Sequence, residues 1–424
     1  MIEGTDQSHH QAQPVELPFE IITYIVDFFV DLLDEDSGSG AGSSTSSPKL
    51  LPLRLISKSW SKVIIQTYFR TIRLDNSKRV QIILDNWTDA LYGPNQPCPV
   101  KHLYIGDLMY NLDPDSKAEC KVKVGRKESP PVSIDQAVRL INLLGANIYH
   151  LSLAYSWSMG ISPAMLEAVK ALEDLEELRI LHHETYYRKS RGTYDSKSLG
   201  DLLAVVPQLE CLTLRYHKLD GMQLEAISLA NLRQFTFTSA QHNAKEIAHI
   251  CETAKNSLTV VEFHSEGLVN DLDIILAPIQ ANLEGCFAYG YGCQLPESVL
   301  KMEFPKLRVL GRTDCPKQKR YPMDWLDWPM FRNVRTIVQD TYQAEGDWIK
   351  TLEPASPECF QVVPKLKLMI FTMVGYDMYP ISPKMVEVFK KGGVECYYTY
   401  ETPHLELDDI MELELDLHEL DEDT

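Results

Sequence analysis

Few residues in this chain have the types and spacing that reactive chemistry requires. His182-His183-Glu184 sets two imidazoles beside a carboxylate, a donor set that suits zinc. They close a strand-like run, where adjacent side chains point to opposite faces and cannot share one ion. Cys286 and Cys293 flank Phe287, Tyr289 and Tyr291, but no second pair of cysteines matches them, and structural zinc sites are built from closely spaced pairs. No GxxxxGK[ST] loop, strand-borne GxGxxG, GxSxG or HExxH occurs in the sequence. The chain therefore reads as non-catalytic, with no metal and no cofactor. Binding is the chemistry left to locate.

The residues that could bind are set by strands. Glu177-Leu178-Arg179-Ile180, Cys211-Leu212-Thr213-Leu214, Gln234-Phe235-Thr236-Phe237 and Val260-Val261-Glu262-Phe263 alternate apolar with mostly polar residues. In a strand, successive side chains face opposite sides. Leu178, Leu212, Phe235 and Val261 then turn inward, and the residues between them form an outward surface. That surface is the candidate binding face, with Glu177, Arg179, Arg215, Glu262, His264, Phe287 and Tyr289 as its binding residues. Outward aromatics are the side chains that anchor interfaces. Phe287 and Tyr289 read either as such anchors or as rings packed beneath a loop.

These strands recur. Centres at residues 103, 151, 178, 212, 235, 261, 286, 310, 337, 369 and 396 give intervals of 48, 27, 34, 23, 26, 25, 24, 27, 32 and 27 residues. Most fall in or near the leucine-rich-repeat range of about 20–29. Leu175-x-x-Leu178-x-Ile180, Leu209-x-x-Leu212-x-Leu214 and Leu232-x-x-Phe235-x-Phe237 carry the matching L-x-x-L-x-L pattern. Helices are expected between strands. Ser162-Pro163 and Ser382-Pro383 each place an N-cap before a proline at the first helical position, and Gly392-Gly393 ends the second of these helices. The longest interval holds a polar segment, Asp113–Pro131, read as a long loop or an irregular repeat. The fold class this predicts is α/β, a right-handed leucine-rich-repeat solenoid with a curved parallel sheet over residues 75–400.

Composition narrows the function further. The 424 residues carry a formal charge of −19, from 41 basic and 60 acidic side chains. A surface that acidic repels a phosphate backbone, so no nucleic-acid partner is expected. No apolar run reaches membrane-spanning length, so no membrane partner is expected either. Nine scattered cysteines without a CxxC pair fit a reducing compartment, cytoplasm or nucleus. Residues 1–14 read as a flexible tail. Residues 401–424 hold eleven acidic residues and no Lys or Arg. Leu405, Leu407, Ile410, Leu413, Leu415, Leu417 and Leu420 alternate with these acids, and the segment reads as an acidic solvating tail rather than a docking peptide.

Residues 15–74 form a separate module. Ile21, Ile25, Phe28, Phe29 and Leu32 share one helical face. A Gly/Ser-rich insert, residues 34–48, follows; within Ser37–Ser47 every residue is Gly, Ser or Thr except Ala41. Such a stretch cannot offset its ordering entropy and is expected to be flexible. Beyond it, Leu53-Arg54-Leu55-Ile56-Ser57-Lys58-Ser59-Trp60 leads to Phe69-Arg70-Thr71-Ile72-Arg73-Leu74. The module has more apolar surface than its size can hide, which calls for a neighbour or a partner.

Leu17-Pro18-Phe19-Glu20-Ile21, the Leu53–Trp60 run and Phe69–Leu74 together resemble an F-box, in the order that family has them. The whole chain resembles F-box proteins with leucine-rich repeats. Pro52 departs from the pattern and should shorten or kink the second helix. The resemblance implies the substrate-recognition subunit of a Skp–cullin–F-box ubiquitin ligase: the F-box binds the Skp adaptor and through it a cullin, and the repeats capture a protein. It also implies adaptor contacts at Leu17, Pro18, Ile21 and Ile25 on the first helix, and at Leu53, Leu55, Ile56 and Trp60 beyond the insert. Trp60 reads equally as a residue of the module's own core. A scaffold bound to the Skp adaptor outside any ligase, and an enzyme with a site hidden in the solenoid, are the alternative readings.

Overall fold

The computed structural model describes residues 17–26, 51–87, 98–110, 130–156, 159–182, 195–216, 219–225, 228–240, 242–265, 271–289, 295–312, 327–340, 360–372, 383–399 and 411. The chain divides into two compact units, Met1–Arg70 and Thr71–Thr424.

In the first unit, residues 19–26 are helical. Leu51–Leu55 is a 3-10 turn and Lys58–Tyr68 an α-helix. Pro52 sits within the 3-10 turn, so the α-helix begins only at Lys58, the shortening expected of a proline there. Ser57 caps it: its Oγ accepts a hydrogen bond from the Trp60 backbone N–H at 3.3 Å. Ile22, Val26, Val63 and Ile64 are buried together, with Leu53 and Trp60 packed against them. The Gly/Ser insert lies outside the described residues.

The second unit is built on one thirteen-stranded sheet. Its strands are β1 Thr71–Leu74, β2 His102–Met109, β3 Val132–Ser133, β4 His150–Tyr155, β5 Glu177–His182, β6 Cys211–Arg215, β7 Gln234–Thr238, β8 Val260–His264, β9 Gly285–Tyr289, β10 Val309–Arg312, β11 Thr336–Asp340, β12 Leu368–Thr372 and β13 Glu395–Thr399. Every described pairing is parallel, and the strands follow one another across the sheet in chain order, except that β3 pairs only with β2. This is a solenoid-like α/β fold. All eleven expected strand centres fall inside strands. One boundary moves: Thr71–Leu74, assigned from sequence to the N-terminal module, is the first strand of the sheet and pairs with His102–Ile105. Backbone pairing claims it because Ile72 and Leu74 continue the inward apolar row.

Helices join many of the strands. Ser162 caps Pro163–Lys170 with proline at the helix start, as its sequence implies. Ser133 and Gln136 close a reciprocal capping box at Ile134–Leu144, a helix inside the long interval. Pro383–Lys391 ends before Gly393, whose φ of 77° suits glycine. Successive turns are tied by the residue three positions before a strand. Gln208, Asn231, Asn282 and Asn333 each donate a side-chain N–H to a backbone carbonyl of the preceding turn, at 3.0 Å in every case. Two of these carbonyls, Leu172 and Phe304, also accept a backbone N–H from three residues on.

Phe371 of β12 meets Phe389 of Pro383–Lys391 edge-on at 6.0 Å, which identifies the helix side of the sheet. The strand register carries that side from Phe371 back through Phe263, Phe237, Leu214 and Ile180, all buried. The intervening residues form the opposite, open face, on which Val260, Phe287, Thr336, Val338, Leu368 and Ile370 are nevertheless buried.

Candidate functional site

The first unit places its apolar residues in two groups. Ile22 and Val26, one helical turn apart, form the core with Val63 and Ile64, so the opposite side of the first helix is left outward. Leu17 is 43% exposed, Ile21 45%, Leu55 81% and Ile56 59%. Phe19 and Tyr24 are exposed with them, and Lys62 Nζ stands 5.4 Å from the centre of the Phe19 ring. Pro18 is exposed and Ile25 half-buried. Of the residues implied as adaptor contacts, Leu17, Pro18, Ile21, Leu55 and Ile56 are thus open, while Leu53 and Trp60 pack on the core. Phe28, Phe29 and Leu32 lie outside the described residues. The sequence reading missed Phe19 and Tyr24 as outward residues, because Ile21/Ile25 and Ile22/Val26 offer the same i, i+4 spacing.

On the open face of the sheet the expected residues do come together. Glu177 accepts a hydrogen bond from His150 Nδ1 at 2.7 Å and pairs with Arg179. Burial opposes ionisation of Glu177, but the hydrogen bond from His150 and the charges of His150 and Arg179 outweigh it and hold its pKa below the usual carboxylate value. The face continues toward β1 through residues that sequence reasoning passed over. The Tyr104 ring lies 4.8 Å from His150, and the Arg73 guanidinium sits 4.6 Å from the Tyr104 ring centre. Their signal was the alternation of Tyr104 with Leu103 and Ile105.

Toward β9, Thr236 donates to Glu262 at 3.2 Å, and His264 Nε2 lies 2.6 Å from the other Glu262 oxygen. Arg215 stands 3.4 Å from the same ring nitrogen, and the His264 ring stacks on Tyr289 at 5.7 Å. Arg215, Thr236, Glu262, His264 and Tyr289 therefore form one patch in which each polar group is oriented by its neighbour. That arrangement suits polar recognition of a protein surface.

Phe287 requires a correction. It lies on the open face, in register with Glu262 and Gly311, but is 0% exposed and does not offer an anchor. It is buried with Val260, Val309, Val338, Leu368, Ile370 and Met411, with Tyr289 packed alongside. Met411 belongs to the acidic C-terminal segment and is itself only 6% exposed. Met411 itself does not behave as part of a solvating tail; it packs on the aromatic end of the face. An apolar side chain inside an acidic run was the available signal.

His182 is buried and its ring stacks on Tyr216, while His183, Glu184 and Cys293 lie outside the described residues. Among the described residues, no group of three or more His, Cys, Asp or Glu side chains gathers as a metal site requires, and no helix is long and apolar enough to cross a membrane.

No protein-family model matches this chain, and no curated protein matches it. Among solved structures, a protein from Bacteroides fragilis is similar over 76% of this chain and 81% of its own, with 12% identity and a TM-score of 0.32. A likeness that weak carries no functional argument.

Proposed function

We propose that this chain is the substrate-recognition subunit of a Skp–cullin–F-box ubiquitin ligase, acting without catalysis of its own in the cytoplasm or nucleus. In this reading residues 15–70 are the F-box, the sheet unit is a leucine-rich-repeat receptor, and its open face captures a protein. The observation that carries it is the outward group Leu17, Phe19, Ile21, Leu55 and Ile56 on a unit whose described core cluster is Ile22, Val26, Val63 and Ile64. A Leu or Ile side chain gains about 1.5–3 kcal/mol when fully buried. Several of them left open on a unit this small are the expected surface of a helical adaptor contact.

Affinity purification of the tagged full chain, followed by mass spectrometry, tests the reading. A Skp adaptor recovered together with a cullin supports it. An adaptor recovered without a cullin assigns the chain to a stable complex outside a ligase, and recovery of neither defeats both.

A further inference from the structure

The apolar end of the open face has a shape of its own. Val260, Gly285, Val309, Thr336 and Leu368 stand in one register row, and Glu262, Phe287, Gly311, Val338 and Ile370 in the next that faces the same way. Two glycines interrupt these rows. The Phe287 ring fills the space at Gly311, and Met411 fills the space at Gly285: a Cβ built on Gly285 would lie 2.9 Å from Met411 Sδ. Met411 therefore packs over Gly285 beside the Phe287 ring and Val260, which come within 3.1 and 3.3 Å of the same point. Its carbonyl accepts a hydrogen bond from Arg308 Nη1 at 3.3 Å. Thr336 is fully buried in the same row, and its hydroxyl has no hydrogen-bond partner among the described residues.

One rim of this surface is mixed in charge: Glu284, immediately before β9, stacks on the same row by the Arg308 N–H to its carbonyl at 2.9 Å and pairs with Arg308 Nε at 3.3 Å. Arg308, Arg335 and Lys367 immediately precede β10, β11 and β12 and are stacked by backbone bonds, Arg335 N–H to the Arg308 carbonyl and Lys367 N–H to the Arg335 carbonyl, both 2.9 Å. The side chain seated here comes from a stretch, residues 401–424, with eleven acids and no Lys or Arg. Arg308 thus reaches both Glu284 and the backbone of the seated residue, and a more acidic rim would oppose a stretch of this composition.

We propose that the open face of β8–β12 is a groove for an acidic peptide with a methionine or leucine anchor, and that Met411 is its resident occupant, which a partner protein of the same chemistry displaces. This names the partner class of the receptor reading and rests on that reading only for the sheet unit. Adaptor binding plays no part in it.

Fluorescence anisotropy with a labelled synthetic peptide of residues 404–424 tests the proposal on the full chain. Wild type, with Met411 in place, should bind weakly. The Met411→Asp chain should bind at least tenfold tighter. A peptide carrying the same Asp should fail to bind, and adding Arg308→Glu to the Met411→Asp chain should cost at least tenfold. Equal binding by wild type and Met411→Asp, or equal binding of the two peptides, overturns the proposal. Should Met411→Asp lose its cooperative melt, hydrogen exchange on the unaltered chain decides. A saturating isotope-labelled peptide should speed exchange in the chain's own residues 401–424 while β9 stays protected; unchanged exchange there overturns the proposal. Failure in either assay leaves the adaptor reading standing, and a chain that binds no adaptor still gives both results.

Discussion

The Phe287 ring occupies the space that a side chain on Gly311, its direct register partner on β10, would need. An aromatic ring laid over a cross-strand glycine covers backbone that the glycine leaves bare. Two variants should therefore destabilise the chain for different reasons. Phe287→Ala empties a buried site and should cost about 3–5 kcal/mol. Gly311→Val pushes the ring away and should cost about 1–3 kcal/mol. The pair should fall short of additivity, because the valine occupies part of what the ring vacates. Urea denaturation of the two single variants and the double variant measures this, and additivity within about 0.5 kcal/mol would disprove the contact.

Glu177 should make stability depend on pH. Its carboxyl, ordinarily titrating at 4.5, is held lower in the folded chain by His150 and Arg179. A depressed folded pKa means that the unfolded chain takes up the proton first as pH falls. The contribution is therefore complete above the ordinary value and lost as pH drops through the folded one. Glu177→Gln should cost about 1.5–3 kcal/mol at neutral pH, the range for hydrogen bonds to charged groups. The difference from wild type should shrink in acid. Denaturation series between about pH 7 and about pH 3 check it, and a constant difference would contradict the assigned pairing.

The repeats were legible because two periodicities agree: the strand alternation that puts Leu178 and Ile180 inward, and the recurrence of that pattern along the chain. The outward polar patch followed from the same alternation, which is why Glu177, Arg179, Glu262 and His264 fall where sequence placed them. Phe287 was misjudged because alternation reports which face a residue occupies, not what covers that face. Its cover, Met411, comes from more than a hundred residues away and from a stretch whose acidity points to solvent. Thr71–Leu74 was misassigned because local sequence does not show which of two neighbouring units a short strand will pair with. In the first unit, Ile21 and Ile22 are adjacent, and helical spacing alone does not choose which of them enters the core.

The Gly/Ser-rich insert should be dispensable for adaptor binding. Ser37–Ser47 contains no apolar side chain larger than Ala41, so it has little to bury. Closure entropy changes only logarithmically with loop length. Deleting it should leave the adaptor affinity within about threefold, read by titration of purified adaptor. A tenfold loss, about 1.4 kcal/mol, would make the insert part of the interface.

The most direct test of the receptor reading is a calorimetric titration of purified Skp adaptor into the full chain and into its Leu17→Ala/Pro18→Ala variant. Both residues are exposed, so the variant should melt as wild type does. The expected result is binding by wild type and a loss of about 1–3 kcal/mol or more in the variant, the size of an interface anchor. No binding by wild type, or equal binding by both chains, would contradict the assignment of this surface to the adaptor.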